Sequence, residues 1–259
     1  MHVTVSDIVD IMEDLAPISL AESWDNVGLM LGRSSKQVQR ILLALDMTPA
    51  TVQQARACQA DLLLTHHPAV FKKLEGLTDR VWQQELLLSL AESGIAVYSA
   101  HTNLDSAQGG VNDVLAQCLQ LQEVTELDAS TQLGRIGCVE ECSLEGFAAF
   151  VKKQLHAPYL NIADAGRPVH RVAICGGAGT DLIPLLLGKN VDTFVTGDVK
   201  YHTAQEAVFG GLNIIDAGHQ ATELPVLKCL AAELEKRFAA QGWQVTITVA
   251  QEEPLLKSI

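Results

Sequence analysis

The stretch Asp61-Leu62-Leu63-Leu64-Thr65-His66-His67-Pro68 places two adjacent histidines directly after an apolar run. Such a run predicts a buried β-strand, and the proline favours an end of the strand there because it lacks a backbone donor. Side chains alternate between faces within a strand, so neighbouring imidazoles reach one pocket only beyond its end. We therefore expect His66 and His67 at the rim of a sheet. The alternative is a pair of solvent-exposed histidines on a helix or loop.

The composition is that of a folded chain able to bury a large core. Of its 259 residues, 48% are hydrophobic and 19% are charged, which suits one large domain or two of ordinary size. The net charge of −13 argues against binding nucleic acid or an anionic membrane through a positive face. The sequence shows no secretory leader, no apolar run of roughly 20 residues and no CxxC pair among six cysteines. We expect a reduced, cytoplasmic chain.

Strand and helix patterns alternate along the first half of the chain. The predicted elements are a helix at residues 6–15 with Ser6 as N-cap, strands at 40–46, 61–65 and 95–100, and helices at 49–59, 79–93 and 111–120. The order βαβαβ indicates a parallel sheet with helical connections. The fold class is therefore predicted to be α/β.

The second half repeats this pattern at fixed offsets. Residues 40–67 align with 171–198 at an offset of 131, and residues 94–100 align with 211–217 at an offset of 117. We interpret the chain as two similar α/β halves, residues 1–125 and 126–259. The C-terminal elements of the second half are expected to pack across onto the first half.

Two further features of the second half are predicted. Gly176-Gly177-Ala178-Gly179 is interpreted as a tight turn, the alternative being a loop that approaches a phosphate. Thr222 is predicted to cap a helix running to about residue 240, which would place Glu223 in the first turn of that helix.

Side chains suited to metal ions collect at the predicted strand ends, where open parallel sheets bind their ligands. They are His66, His67, His101, Asp105, Asp198, His202, His219 and Glu223. Imidazole and carboxylate donors without cysteine suit Zn, Fe, Mn, Co or Ni. Even three of these imidazoles with two of these carboxylates exceed the needs of one catalytic ion. They suit two ions with a bridging carboxylate. Taken singly, an HH pair or an HxxxE spacing is also compatible with a purely structural role.

Four motifs closely resemble the NIF3-like family, whose bacterial members are labelled GTP cyclohydrolase 1 type 2 homologues. They are residues 63–68, residues 99–105 with 109–113, residues 196–202 and residues 216–223. The resemblance begins at the loop Trp24-Asp25-Asn26-Val27-Gly28-Leu29, and the chain is similar to the short form because it lacks the long insertion of larger members.

The resemblance implies two intertwined α/β halves, a ring-shaped homohexamer and two divalent metal ions per chain (Fe, Zn, Mn or Ni). It implies that His67 and Asp105 bind one ion, that His66 and His219 bind the other, and that Glu223 bridges them. The resemblance also implies that the remaining motif residues orient ligands, meet substrate or serve as acid or base; they are His101, Asp198 and His202.

The implied activity is metal-dependent hydrolysis of a nucleotide or of a purine- or pterin-type substrate, either cyclohydrolase-like or phosphoesterase-like. The alternative is a non-catalytic hexameric metal-binding scaffold or adaptor. A ring that threads nucleic acid is disfavoured by the net charge of −13.

Overall fold

The computed structural model describes residues 2–256 and shows a mixed α/β chain with two sheets. Contacts divide it into two compact units, each built around one sheet. The first unit comprises the chain up to Gln108 together with Leu227–Glu253, and the second comprises Gly109–Val226 and residues 254–256. The segment Gly109–Val226 is therefore inserted between the two parts of the first unit. The sequence-based division at residue 125 instead placed residues 109–125 in the first half.

The first unit contains a five-stranded sheet with four parallel strands. Its strands are β1 (Gly28–Leu31), β2 (Arg40–Ala44), β3 (Leu62–Thr65), β4 (Ala96–Ser99) and β11 (Thr246–Val249), in the spatial order β1-β4-β3-β2-β11. β1 is antiparallel to β4, and β11 is parallel to β2 at the other edge. The helices are α1 (Val5–Leu15), α2 (Pro49–Ala57), α3 (Trp82–Glu92), α4 (Thr102–Ser106) and most of α10 (Pro225–Gln241).

Local chemistry explains where the elements of the first unit begin. Leu62, Leu63 and Leu64 are all buried, so both faces of β3 are covered, as its apolar run predicts. Thr48 caps α2 and Pro49 occupies its first turn, also as predicted. The predicted helix α1 is confirmed, but its predicted N-cap was wrong: the N-cap is Thr4, because Thr4 and Asp7 exchange side-chain and backbone hydrogen bonds in a capping box, whereas Ser6 lies within the helix.

The second unit contains a six-stranded mixed sheet. Its strands are β5 (Gln122–Glu126), β6 (Arg135–Cys142), β7 (Asn161–Ala163), β8 (Val169–Ile174), β9 (Thr193–Thr196) and β10 (Asn213–Asp216), in the spatial order β5-β6-β8-β9-β10-β7. The central strands β8, β9 and β10 are parallel, and the others join antiparallel. The helices are α5 (Val111–Cys118), α6 (Leu144–Gln154), α7 (Ile183–Leu187), α8 (Tyr201–Phe209) and α9 (His219–Glu223).

Helices cover both faces of the second sheet. Val195 and its neighbours on one face pack in a core with Phe147 of α6 and Leu115 of α5. Phe194, one residue earlier on the same strand, belongs to a separate core that includes Leu186 of α7. This alternation explains why strands buried on both faces read as continuous apolar runs.

The strand registers support the predicted repeat. Ile41 of β2 pairs with Leu62 of β3, and 131 residues later Val172 of β8 pairs with Thr193 of β9. The last residues of the strands also pair in the same way: Thr65 pairs with Ser99 in the first unit, and Thr196 pairs with Asp216 in the second. Both units therefore share one βαβαβ core with the same strand register.

The helix predicted to begin at Thr222 is instead two helices. Gly218 adopts a φ of +85°, and α9 starts at the next residue and ends at Glu223. Thr222 lies inside α9, where its hydroxyl donates to the Gly218 and His219 carbonyl oxygens instead of capping a helix. Glu223 therefore ends a short helix and does not begin the long one, α10. Among residues 2–256, no helix combines the length and the apolar character needed to cross a membrane.

Candidate metal centre

His66 and His67 extend the backbone of β3 beyond its last ladder residue. The His66 N–H donates to the Ala44 carbonyl (3.0 Å) and the His67 N–H to the Leu45 carbonyl (2.8 Å). The buried hydroxyl of Thr65 donates to the His67 carbonyl at 2.8 Å, which fixes the chain where it leaves the sheet. The two imidazoles are thus presented at the rim of the sheet.

The neighbouring strand β4 delivers a third imidazole, and the three rings form what we call the histidine cluster: His66, His67 and His101. Their ring centroids lie 4.9, 5.3 and 5.5 Å apart. One ring nitrogen from each lies within 4.8 Å of the others, a spacing compatible with a shared ion. Asp105 on α4 adds a carboxylate whose Oδ1 is 3.6 Å from His66 Nε2. The first unit therefore gathers four of the predicted site residues.

Each imidazole of the histidine cluster is held by an oxygen at Nδ1. His66 Nδ1 lies 2.9 Å from the Ala100 carbonyl oxygen, His67 Nδ1 lies 2.9 Å from Asp46 Oδ1, and His101 Nδ1 lies 3.0 Å from both Asp25 oxygens. A carbonyl or carboxylate oxygen only accepts, so Nδ1 carries the proton and the lone pair of the neutral ring lies on Nε2. Metal-binding histidines are characteristically oriented in this way.

Asp25 is the most buried of these orienting carboxylates. Its side chain has no exposed surface, and it accepts hydrogen bonds from His101 and from both the N–H (3.0 Å) and the hydroxyl (2.5 Å) of Thr102. Burial alone would raise the pKa of Asp25, but the hydrogen bonds from His101 and Thr102 and the favourable electrostatic interaction with the His101 ring outweigh it and lower the pKa to about 2. Asp25 is therefore an anion that fixes His101.

Asp46 is itself positioned by the C-terminal part of the first unit. Glu252 accepts the backbone N–H of Leu45 at 2.6 Å and that of Asp46 at 3.2 Å. Burial raises the pKa of Glu252, and the nearby Asp46 charge raises it further, against the opposing effect of the backbone hydrogen bonds and His67. The orientation of His67 thus depends on a residue far away in the sequence.

The second unit contributes a separate imidazole–carboxylate pair on α9. His219 and Glu223 are one helical turn apart, and His219 Nε2 lies 3.1 Å from Glu223 Oε1. The other ring nitrogen, Nδ1, is held by Asp198 Oδ2 at 2.7 Å. Asp198 follows β9 in a left-handed conformation (φ +56°), which aspartate tolerates better than most residues. The arrangement repeats the Nδ1-held imidazole of the first unit.

Glycines make room for this pair. A Cβ on Gly177 would lie 2.3 Å from Glu223 Oε1 and 3.1 Å from His219 Nε2. The N–H groups of the same loop are used internally, those of Gly176, Gly177 and Gly179 donating to Asn112, Thr222 and Thr196. This pattern agrees with a tight turn and not with a loop whose N–H groups bind a phosphate.

The remaining predicted residue, His202, is exposed at the start of α8, with its ring 5.3 Å from that of Tyr201. Sequence reasoning missed three carboxylates: Asp25, Asp46 and Glu252. Asp46 ends a predicted strand and Asp25 lies in a motif loop, so position alone could have drawn attention to both. No sequence pattern marks Glu252.

The donor set fits divalent ions. The first unit offers three oriented imidazoles and the Asp105 carboxylate, and the second offers His219 and Glu223. Mixed imidazole and carboxylate donors suit Zn or Fe, with Mn and Ni as further candidates. The fold and these donors define a two-sheet α/β protein with a candidate metal centre.

Comparison with known proteins identifies the family. Residues 3–254 match the Duf34/NIF3 (NGG1p interacting factor 3) family, and the chain belongs to it. A Clostridium perfringens protein named GTP cyclohydrolase 1 type 2 homolog is 35% identical over 241 residues, covering 90% of this chain and 92% of the relative.

Solved structures agree. A Bacillus cereus protein related to NIF3 matches with a TM-score of 0.94 at 25% identity, over 100% of this chain and 99% of the other. The Staphylococcus aureus protein SA1388 matches with a TM-score of 0.93 at 26% identity, over all of both chains.

Proposed function

We propose that this protein binds two divalent metal ions and hydrolyses a nucleotide or a related purine- or pterin-type substrate. One observation carries the proposal: His66, His67, His101 and His219 are each held at Nδ1 by an oxygen that only accepts. Imidazoles fixed in one tautomer are what metal ligands and proton-transfer groups require.

The proposed ligand assignment follows the family resemblance. His67 and Asp105 would hold one ion, His66 and His219 would hold the other, and Glu223 would be shared between them. The burial of Asp105 and Glu223 is compatible with the assignment because a divalent ion would stabilise a carboxylate that is removed from water. Each unit contributes imidazole and carboxylate side chains of the kind that bind divalent ions, which supports the assignment as well.

The residues around the ions have distinct tasks. When bound, divalent ions would supply Lewis acidity and would lower the pKa of a water molecule, which would favour a nucleophile near neutral pH. His101, oriented by Asp25, presents the lone pair of Nε2 and accepts or returns a proton during turnover. Asp198 keeps His219 in the ligating orientation.

The substrate class comes from the relatives. The Clostridium perfringens protein carries the name GTP cyclohydrolase 1 type 2 homolog. We therefore place GTP first among the substrates to test, with hydrolytic opening of a C–N bond in its purine ring as the expected reaction and phosphoester hydrolysis as the second.

The test combines metal content with turnover. The chain is incubated with Zn²⁺, Fe²⁺ or Mn²⁺, its metal content is measured by mass spectrometry, and GTP, other nucleotides and pterin precursors are assayed. His67→Ala and Glu223→Ala should each lower metal content by about one ion and abolish turnover. His170→Ala is the control, since His170 is an exposed histidine whose Nδ1 also contacts a carbonyl, that of Val139.

Two outcomes would contradict the mechanism. Unchanged turnover in both ligand variants would refute the assigned centre. Retained metal with no turnover of any substrate would favour the alternative, a non-catalytic scaffold or adaptor.

We also propose the ring-shaped homohexamer that the resemblance implies. Exposed apolar side chains on the second unit support an interface of this kind, among them Tyr201, at 76% exposed, and Phe209, at 82%. Light scattering should give six times the 27.9 kDa chain mass. A monomer or dimer at micromolar concentration would contradict it.

A further inference from the structure

Two exposed aromatic side chains of the first unit stand beside the histidine cluster. Trp24 is 59% exposed and Phe71 is 51% exposed, and their ring centroids lie 5.9 Å apart with planes inclined by 44°. The His101 ring lies 6.0 Å from Trp24 and 6.1 Å from Phe71, steeply inclined to both. Adjacent apolar rings that remain open to solvent beside a polar cluster are typical of a ligand-binding surface.

Hydrogen bonds anchor the residues next to both rings. Asp25, which follows Trp24, accepts from His101 and Thr102. Asn26 donates its side-chain amide to the carbonyl of Val70, the residue before Phe71, at 2.5 Å. The two loops are therefore tied to each other and to the histidine cluster, and a ligand would meet rings already in place, which lowers the entropic cost of binding.

We propose that Trp24 and Phe71 form a stacking platform for a planar bicyclic heteroaromatic ring, of the purine or pterin kind, held next to His101. The inference rests on the proposed function, because it assigns the part of the chain that recognises the substrate's ring. An indole face is large enough to cover a bicyclic ring, and stacking on aromatic side chains is a general means of holding bases.

Charge favours ring recognition over phosphate recognition. The chain has a net charge of −13, so its overall field repels an anionic nucleotide and does not attract it. Affinity for a nucleotide must then come from local contacts, and the uncharged ring is the part that the platform can bind without an electrostatic cost.

The experiment uses guanosine, GTP and inorganic tripolyphosphate as probes of the full chain. Calorimetry measures their affinities for the wild type, Trp24→Ala, Phe71→Ala and Trp82→Ala. Trp82 is a matched control because it is also a tryptophan 59% exposed on the first unit, at the start of α3. Guanosine should bind the wild type and the Trp82→Ala protein equally, and each platform substitution should weaken binding about tenfold.

Fluorescence gives a second readout that does not depend on how well the alanine variant folds. The chain has 3 tryptophans, so guanosine should quench part of the wild-type emission. Trp24→Phe should lose that quenching while keeping most of the affinity, because phenylalanine still stacks. Trp82→Phe should keep the quenching.

Three results would overturn the platform. They are guanosine affinity unchanged by Trp24→Ala, binding of tripolyphosphate but not of guanosine, and a change in subunit number on Trp24→Ala, which would make the rings a subunit contact. The outcome is separable from that of the proposed function. Guanosine binding through Trp24 without any turnover would refute only the hydrolase. Conversely, turnover with a kcat/KM unaffected by Trp24→Ala would refute only the platform.

Discussion

Strands β3 and β9 occupy equivalent places in the two units, and they end in different chemistry. At an offset of 131 residues, Thr65 corresponds to Thr196, His66 to Gly197 and His67 to Asp198. The two threonines are buried, and each hydroxyl donates to a backbone carbonyl beyond a strand end, that of His67 after β3 and that of Gly177 after β8. The two units therefore share the arrangement of their strands, and they differ in the residues that follow the strand ends.

The difference lies in how each unit presents an imidazole. The first unit projects imidazoles directly from strand ends, whereas the second has Gly197 and Asp198 at the positions of His66 and His67 and carries its imidazole on α9. A Cβ on Gly197 would lie 2.6 Å from the backbone nitrogen of His219. Absence of a side chain at one strand end thus allows a helix to approach it. One duplicated fold can therefore supply ligands from strands in one copy and from a helix in the other.

The largest expected effect comes from restoring a side chain where the second unit has none. Gly177→Ala should lower the free energy of unfolding by about 3 kcal/mol, because the added Cβ meets the Glu223 carboxylate and the residue has a φ of +65°. Urea denaturation measures the loss. Gly211→Ala is the control: it shares a positive φ of +80°, but nothing among the described residues lies within 4 Å of its Cβ, so about 1 kcal/mol is expected. Equal losses would show that close approach to Glu223 is unimportant.

The next effect tests the buried carboxylate of the first unit. Asp25→Asn should destabilise the protein by about 2 kcal/mol, since three donor groups face a side chain that keeps one acceptor oxygen. Chemical denaturation at pH 7 measures it. Turnover should fall as well, because His101 is no longer fixed by an anion. A variant as stable as the wild type would mean that the hydrogen bonds to Asp25 contribute little.

The pH dependence of stability sharpens the same point. The folded pKa of Asp25, about 2, lies below its usual value of 3.8, so its contribution is fully present above pH 4 and is lost as the pH falls from about 4 to 2. The corresponding free energy is about 2 kcal/mol. The stability difference between wild type and Asp25→Asn should therefore shrink over this range. A difference that stays constant down to pH 2 would contradict the lowered pKa.

The smallest effect is expected at the exposed counterpart in the second unit. Asp198→Asn should cost about 0.5 kcal/mol or less, because the Asp198 side chain is 50% exposed and solvent screens its pairing with His219. Its effect on metal affinity should exceed its effect on stability. A stability loss as large as that of Asp25→Asn would remove the distinction between the two units.

The sequence predicted the parallel core well because its signals are local and strong. The apolar runs of β2, β3 and β4 and the cap at Thr48 are each signals that extend over a few residues. The constant offsets between the strands of the two halves indicated the duplication. The edge strand β5 had no such signal: all five of its residues are exposed, so no apolar alternation marks it. The cap assigned to Thr222 was wrong because Gly218 starts a separate short helix one turn earlier.

The orienting residues of the site could not be predicted for a different reason. His101 and Asp25 are 76 residues apart, and Asp46 and Glu252 are 206 apart. These hydrogen bonds exist only in the folded chain, and no local periodicity encodes them. Site residues at strand ends are predictable from the topology of the sheet. The carboxylates that orient them lie in loops that only the tertiary structure brings close.

The edge position of β11 determines when the first sheet can be completed during synthesis of the chain. Its pairing with β2 and the contacts of Glu252 complete the first sheet, so β2 must wait for residues synthesised about 200 positions later. Gly109–Val226 is translated in between, which at roughly 5–20 residues per second delays completion on the order of ten seconds. The inserted unit has all of its own strands before then. β2 therefore remains an open strand edge until β11 has been translated.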